Sequence, residues 1–456
     1  MIKIENQRFI EYFRENFFQG NEIELKDFLE NIPKDLSKTL RINTNKISVS
    51  DFLKFSELYE GFELEKTAIP NIFYTKKTDN NKYALGNTIS HLLGITYIQE
   101  LRASYSVYEL SKGKVDREKY TILDMAASPG GKTTQLAEYY PNSIIVANEF
   151  TQNRITQLIS NLERIGGNNF CVTNYNGVFF RDLPERFDKV LIDAPCSGEG
   201  IGFKAIETIK HWNIKKIKGL SGLQENLLER ALVSVKVGGE ILYSTCTLNK
   251  LENEGIIEYI EKKYPESFRV TYSKRFWPHV EKSGGFFVAK IEKLKSVETN
   301  FKKREAKNNK EIKKIDKASL EALSRFQKKY ELDLGDSELY VYKSDILAIK
   351  RNPDFGELIN DLYLTRLGQR IGNIVNGEFT PNYYLARDYE LKNAKKIEIK
   401  SLDEVYDYLK GKEIETSLEL EEKEYLIIAF KDLKIGGGYY SEGKVKNIFP
   451  KEWVVK

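Results

Sequence analysis

Cysteine and histidine are both scarce in this chain, three of each among 456 residues. Cys171, Cys196 and Cys246 lie far apart with no Cys-x-x-Cys pair, and His91, His211 and His279 stand alone. A structural zinc site is therefore not expected, nor any other metal centre, and so few cysteines argue against a secreted disulfide scaffold. No apolar run approaches the ~18 residues of a membrane span. The first residues, MIKIENQRF, carry charge early and lack an apolar signal core. The expected compartment is the cytoplasm. Net charge is nearly absent too: +4, from 71 basic and 67 acidic side chains. Nucleic acid, if bound, would be held by local patches rather than by a global field.

What is present suits an ordinary globular protein with a real core, at 41% hydrophobic and 30% charged. The length fits about three domains at ~150 residues each. Tyr and Phe are plentiful, 27 and 25, and core packing accounts for most such rings.

The stretch Tyr120–Thr134, YTILDMAASPGGKTT, carries the strongest local signal. Ile122, Leu123 and Met125 read as a strand. Small residues follow, then Pro129-Gly130-Gly131, and a helix from Lys132 to Tyr140 that Pro141 stops. Such a turn lets a ligand approach backbone N–H groups at a helix start. A phosphate loop would need glycine where Ala126 stands, and no Gly-x-Gly-x-x-Gly is present. A purely structural βα turn would be the default reading if the stretch stood alone.

Residues 1–118 read as a mixed α/β unit, with Lys38–Ile47 alternating as a strand. Arg41 in that strand reads by itself as a solvated or salt-bridged side chain, and is carried forward as a candidate RNA contact. Residues 119–296 alternate strand and helix, which predicts parallel βαβ units in a doubly wound, Rossmann-like sheet. Its strands fall at Ser143–Asn148, Phe170–Thr173, Lys189–Ile192 and Glu240–Ser244, with helices at Gly222–Val235 and Leu251–Tyr264. Glu149 follows the glycines by about twenty residues, the spacing at which such folds place an acid for ribose hydroxyls. Residues 297–318 read as a linker. Within it, Lys302–Lys317 holds eight basic and three acidic residues, a net of +5, which suits a solvated hinge and RNA contact alike. Residues 319–456 open with a helix, Ser319–Leu332, and Tyr340–Ile349 reads as a strand. The tail reads as strand, a Gly436-Gly437-Gly438 turn, and strand, in a small β-rich module.

Two cysteines sit where a predicted strand gives way to loop, in LIDAPCSGEG (Leu191–Gly200) and LYSTCT (Leu242–Thr247). Ligands of open α/β sheets bind outside those strand ends, so both cysteines are expected beside the glycine turn. Cys171, inside an apolar strand, reads as a buried structural thiol.

At these residues the chain resembles a known family. DMAASPGGKTT (Asp124–Thr134), ANE (Ala147–Glu149), DAPCSGEG (Asp193–Gly200) and STCTLNKLENE (Ser244–Glu254) are similar to motifs of bacterial RNA cytosine-5 methyltransferases of the RsmF/NSUN (Sun) type. The likeness extends to LRIN (Leu40–Asn43), GITYIQE (Gly94–Glu100), WPH (Trp277–His279) and GGFFVA (Gly284–Ala289), and near the far end to YLARD (Tyr384–Asp388) and KNIFPK (Lys446–Lys451).

The resemblance implies a seven-stranded methyltransferase domain, an N-terminal RNA-binding domain and a C-terminal PUA-like module. It implies S-adenosylmethionine as cofactor, held by Ala126, Ala127, Ser128, Pro129, Gly130, Gly131, Lys132, Glu149, Asn176 and Asp193. It makes Cys246 the nucleophile, Cys196 the residue that helps release product, and Asp193 the partner of the cytosine edge. The implied substrate is small-subunit ribosomal RNA, within an assembling subunit, acted on by a monomer. Transfer RNA is the other substrate the motifs admit. An RNA-binding assembly factor without catalysis is the rival from another class. The chain departs from the family pattern at Asn176, where an Asp is common, and at Phe203-Lys204-Ala205-Ile206, where a basic loop leaves Lys204 as the one retained charge and candidate RNA contact. It departs again at Leu101-Arg102, where Pro-Ser is common.

Overall fold

In the computed structural model, the described residues are 4–453 apart from 35, 79–82, 178–179, 181–182, 282, 299–310 and 417. The basic run from Lys302 falls largely outside them.

The centre is one eight-stranded sheet. Its strands, in chain order, are β1 (Thr121–Asp124), β2 (Ile144–Asn148), β3 (Phe170–Thr173), β4 (Phe187–Asp193), β5 (Val235–Thr245), β6 (Phe268–Phe276), β7 (Phe286–Lys293) and β8 (Leu364–Leu367). They lie in the order β6-β7-β5-β4-β1-β2-β3-β8. The five from β1 to β5 pair in parallel. Every residue of β1, β2 and β3 is buried, because helices cover both faces of a parallel sheet and its strands then need continuous apolar runs. The chain winds outward from β1 through β2 to β3, then returns to β4 on the other side of β1. The switch point therefore lies between β1 and β4, and it is there that the glycine turn and the first cysteine loop emerge.

The resemblance implied a seven-stranded methyltransferase domain, and β1 to β7 are those seven; the sheet gains an eighth strand from elsewhere in the chain. β8 comes from the C-terminal region and pairs antiparallel with β3. An open β3 edge would present unpaired backbone groups. β8 covers it with Leu364 and Leu367 buried, and Arg366 meets Glu163 of the helix Gln152–Ile165.

The N-terminal region holds two helices, Gln7–Asn16 and Glu22–Asn31, and a four-stranded sheet in which Thr39–Ile42 pairs antiparallel with Ile72–Lys77 and Thr96–Ile98. Beyond the central sheet come two five-stranded sheets. The predicted strand Tyr340–Ile349 is a hairpin, Ser337–Tyr342 with Asp345–Lys350, and the helix predicted at Ser319–Leu332 spans Lys317–Tyr330. The helix predicted at Gly222–Val235 begins earlier, at Ile214.

The glycine triplet needs a larger correction. Gly436, Gly437 and Gly438 lie inside the strand Leu433–Ser441 rather than in a turn. A Cβ on Gly436 would fall on Tyr383 and Tyr408, and one on Gly437 on Tyr425. The missing side chains make room for three buried rings.

The C-terminal region is tied to the centre by Arg387. Its guanidinium donates to the carbonyls of Glu163 and Arg164 at 2.8 and 2.9 Å, satisfying backbone acceptors in the last turn of helix Gln152–Ile165. Asp388 holds it at 2.6 Å and reaches Lys46 of the N-terminal region at 3.0 Å.

Candidate active site

The glycine turn joins β1 to the helix Gly131–Tyr139. Gly130 precedes that helix with φ +106°, a left-handed conformation that favours glycine, and no side chain caps the helix start. The first-turn N–H groups are thus available to a ligand. Ala127 N–H donates to Asn148 O at 2.8 Å, which binds the turn to the end of β2. Ser128 Oγ donates to Arg154 O at 3.0 Å, and Asn161 donates to Pro129 O at 2.9 Å.

Asp193 ends β4 beside this turn. Lys132 Nζ donates to Asp193 Oδ2 at 2.7 Å. Burial works against the lysine's charge, but the Asp193 carboxylate outweighs it and leaves Lys132 above the ordinary lysine value. Three residues on, Cys196 turns back toward the loop after β5, and its sulfur lies 3.1 Å from that of Cys246. The contact with Cys246, burial, and the nearby charges of Glu252 and Asp193 hold the Cys196 thiol well above the usual cysteine range. Cys196 is thus a thiol at neutral pH, able to donate to the neighbouring sulfur. Cys171 sits fully buried in β3, and burial pushes its thiol up to about 12.

Above the two sulfurs is a cavity of about 300 Å³. Ala126, Ser128 and Lys132 line it from the glycine turn, Asp193 and both cysteines from the strand ends, Phe286 from β7, and Leu36 and Glu100 from the N-terminal region. The sequence-predicted residues of the turn, Asp193 and the cysteines are therefore together. Glu149 and Asn176 lie beyond the cavity. Glu149 follows β2 and is buried; its Oε1 accepts from Thr151 N–H at 2.8 Å. Its Oε2 makes no hydrogen bond and lies 3.4 Å from Arg154 Nη1. Asn176 and Lys204 are exposed.

Arg41 is corrected. It is fully buried and cannot touch RNA. Its guanidinium donates to Glu138 Oε1 at 3.2 Å, to Gln99 Oε1 at 2.5 Å, to Gly131 O at 2.7 Å and to Thr134 Oγ1 at 2.8 Å. It is the bolt between the N-terminal strand and the start of the glycine-turn helix.

Several buried polar residues escaped the sequence reading. Asp124 closes β1, accepts from Thr133 Oγ1 at 2.7 Å, and is pushed up to about 7 by burial. Glu199 and Glu252, inside the two cysteine loops, are fully buried. The only signal for them was an acid within each cysteine-bearing motif. Among the described residues no group of three or more His, Cys, Asp or Glu could hold a metal ion, and no helix is long and apolar enough to cross a membrane.

Comparison with known proteins gives three family matches: 16S rRNA methyltransferase RsmB/F over residues 115–292, the N-terminal domain of 16S rRNA methyltransferase RsmF over 6–101, and the methyltransferase RsmF PUA domain over 395–455. The chain is 31% identical to the ribosomal RNA small subunit methyltransferase F of Shewanella piezotolerans, over 98% of this chain and 97% of that protein. It is 31% identical to the protein of the same name from Vibrio cholerae, over 94% of each. Among solved structures, a methyltransferase homolog protein from Pyrococcus horikoshii matches at 29% identity with a TM-score of 0.55, covering 64% of this chain and 96% of that one.

Proposed function

From the premise that the chain belongs to the RsmB/F family of 16S rRNA methyltransferases, we propose that it moves a methyl group from S-adenosylmethionine to carbon 5 of a cytosine in small-subunit ribosomal RNA. It does so in the cytoplasm, as a monomer, on RNA within an assembling subunit.

The single observation that carries this reading is the pair of sulfurs 3.1 Å apart beside Lys132–Asp193 and the glycine turn. The residues present fit the cofactor. An uncapped helix start and the small residues Ala126–Gly131 offer backbone donors, and the buried Oε2 of Glu149, ion-paired with Arg154 but accepting no hydrogen bond, suits a ribose hydroxyl. When bound, S-adenosylmethionine would supply an electrophilic methyl on a sulfonium whose loss of methyl gives a neutral thioether.

The chain's own groups do the rest. Cys246 adds as thiolate to carbon 6 of cytosine, forming a sulfur–carbon bond whose cost in aromaticity makes carbon 5 nucleophilic. Asp193 accepts from the amino group on the cytosine edge, and Lys132, which fixes its orientation, is the cation that offsets the negative charge reaching nitrogen 3 as the adduct forms. After carbon 5 has gained its methyl, Cys196 assists removal of the carbon 5 proton. The electrons of that C–H bond restore the ring double bond, and the sulfur–carbon bond breaks to return Cys246 as thiolate. Cys196 is a thiol in the free protein, so it passes its own proton to water before this step; taking up the carbon 5 proton makes it a thiol again, while Cys246 leaves as thiolate. The base enters the cavity unstacked, since a duplex hides carbons 5 and 6. The N-terminal region, the basic run and the C-terminal module grip the RNA around it.

Bisulfite mapping of ribosomal and transfer RNA from cells with and without the gene tests the reading. One or more cytosines of small-subunit RNA should lose methylation without it. Loss confined to transfer RNA would overturn the substrate.

A further inference from the structure

The proposed chemistry needs Cys196 held against Cys246, yet Cys196 sits in a loop between Pro195 and Gly200, and no strand fixes it. What does is a buried polar clamp. Gln224, on the helix Ile214–Ser234, donates from Nε2 to Pro195 O at 2.8 Å and to Glu252 Oε1 at 2.9 Å. Glu252 Oε1 also accepts from Ser197 N–H at 2.9 Å. The peptide groups on both sides of Cys196 are thus held by one pair of side chains.

The other oxygen of Glu252 faces the second loop. Oε2 accepts from Ser197 Oγ at 2.5 Å and from Asn249 Nδ2 at 2.6 Å. Ser197 Oγ lies 2.6 Å from Thr247 Oγ1, next to the nucleophile, and Gly200 N–H donates to Cys246 O at 2.9 Å. Glu199 closes the network from the far side, accepting from the backbone N–H groups of Leu248 and Asn249 at 2.9 and 3.0 Å. Glu252, Glu199 and Gln224 are all fully buried, so water cannot replace a lost partner without opening the loops.

We propose that Glu252 is a positioning residue for the release step: with Gln224 it clamps both peptide groups that flank Cys196 and so holds that sulfur against Cys246. Four donors converge on its two oxygens. An amide at this position would put an NH₂ group against donors on one side, leaving buried groups unpaired.

The inference rests on the proposed methyl transfer, so the test has one arm that needs no RNA. Dibromobimane fluoresces once it bridges two thiols. In wild-type protein it should bridge Cys196 to Cys246. In Glu252→Gln the bridging rate should fall about tenfold, the order expected for losing one buried pairing, with the melting temperature near that of wild type. In the RNA arm, Glu252→Gln should accumulate covalent enzyme–RNA adduct, as is expected of Cys196→Ala, and should slow release no further when added to Cys196→Ala. A merely structural role would instead lower adduct and methylation together. Gln224→Leu, which removes the other half of the clamp, should shift bridging in the same direction and serves if Glu252→Gln does not fold. Bridging at the wild-type rate in folded variants overturns the clamp. Bridging that falls as expected, in a protein that methylates no RNA, supports the clamp and sinks the methyl-transfer reading alone.

Discussion

A cysteine beside another cysteine was legible from the sequence, because each stands where a strand predicted from apolar runs meets a loop of small and polar residues. Charged residues were harder to read. Arg41 alternates in a strand, and nothing local says that the glycine-turn helix lies across its face and buries it. Glu252 gave no more away, since an acid in a loop looks solvated until the donors around it are seen. Burial also sets the titration of Glu60. Ser90 donates to its two oxygens at 2.7 and 2.8 Å, which favours the anion, yet burial wins and pushes the group up to about 7. A folded-state value raised above 4.5 contributes stability that is full below that pH and is lost as pH climbs through 7. The urea midpoint of wild type should therefore drop more between about pH 5 and about pH 8 than that of Glu60→Gln. Equal pH dependence of the two would contradict this.

Periodicity located most helices and strands, but an end moved by as much as about two turns where propensity could not see packing. The helix Ile214–Ser234 starts two turns before the predicted point because Ile217 and Ser221 are buried under the second cysteine loop. Glycine misled at Gly436–Gly438, where composition signals a turn while the rings of Tyr383, Tyr408 and Tyr425 explain why no side chain fits. Gly437→Ala should overpack the Tyr425 ring and destabilise by about 1–3 kcal/mol. Gly219→Ala, on an exposed helix position with nothing within 4 Å of its Cβ, should stabilise by about 0.5–1 kcal/mol. Urea denaturation of the two variants measures both, and opposite signs are the expected result.

Across the whole molecule, the doubly wound sheet was readable from alternating strand and helix, whereas its eighth strand was not. β8 reaches β3 from nearly two hundred residues away in the chain (Leu367 opposite Cys171), and long-range pairing leaves no local pattern. The same holds for Arg387, which joins the C-terminal region to the helix Gln152–Ile165 and, through Asp388, to Lys46. Arg387→Ala would leave Asp388 with Lys46 as its remaining cation and unpair two backbone carbonyls, and should cost about 1–3 kcal/mol for each carbonyl left unpaired in chemical denaturation. The central sheet and the N-terminal region meet at the cavity that holds the two sulfurs. Their roles are tested most directly by incubating purified variants with small-subunit RNA and S-adenosylmethionine, then resolving protein on a denaturing gel. Cys196→Ala should run as a covalent RNA adduct, while Cys246→Ala should form none and lose methyl transfer by at least about a thousandfold. Full methylation by Cys246→Ala, or a Cys196→Ala protein that never traps RNA, would contradict the account.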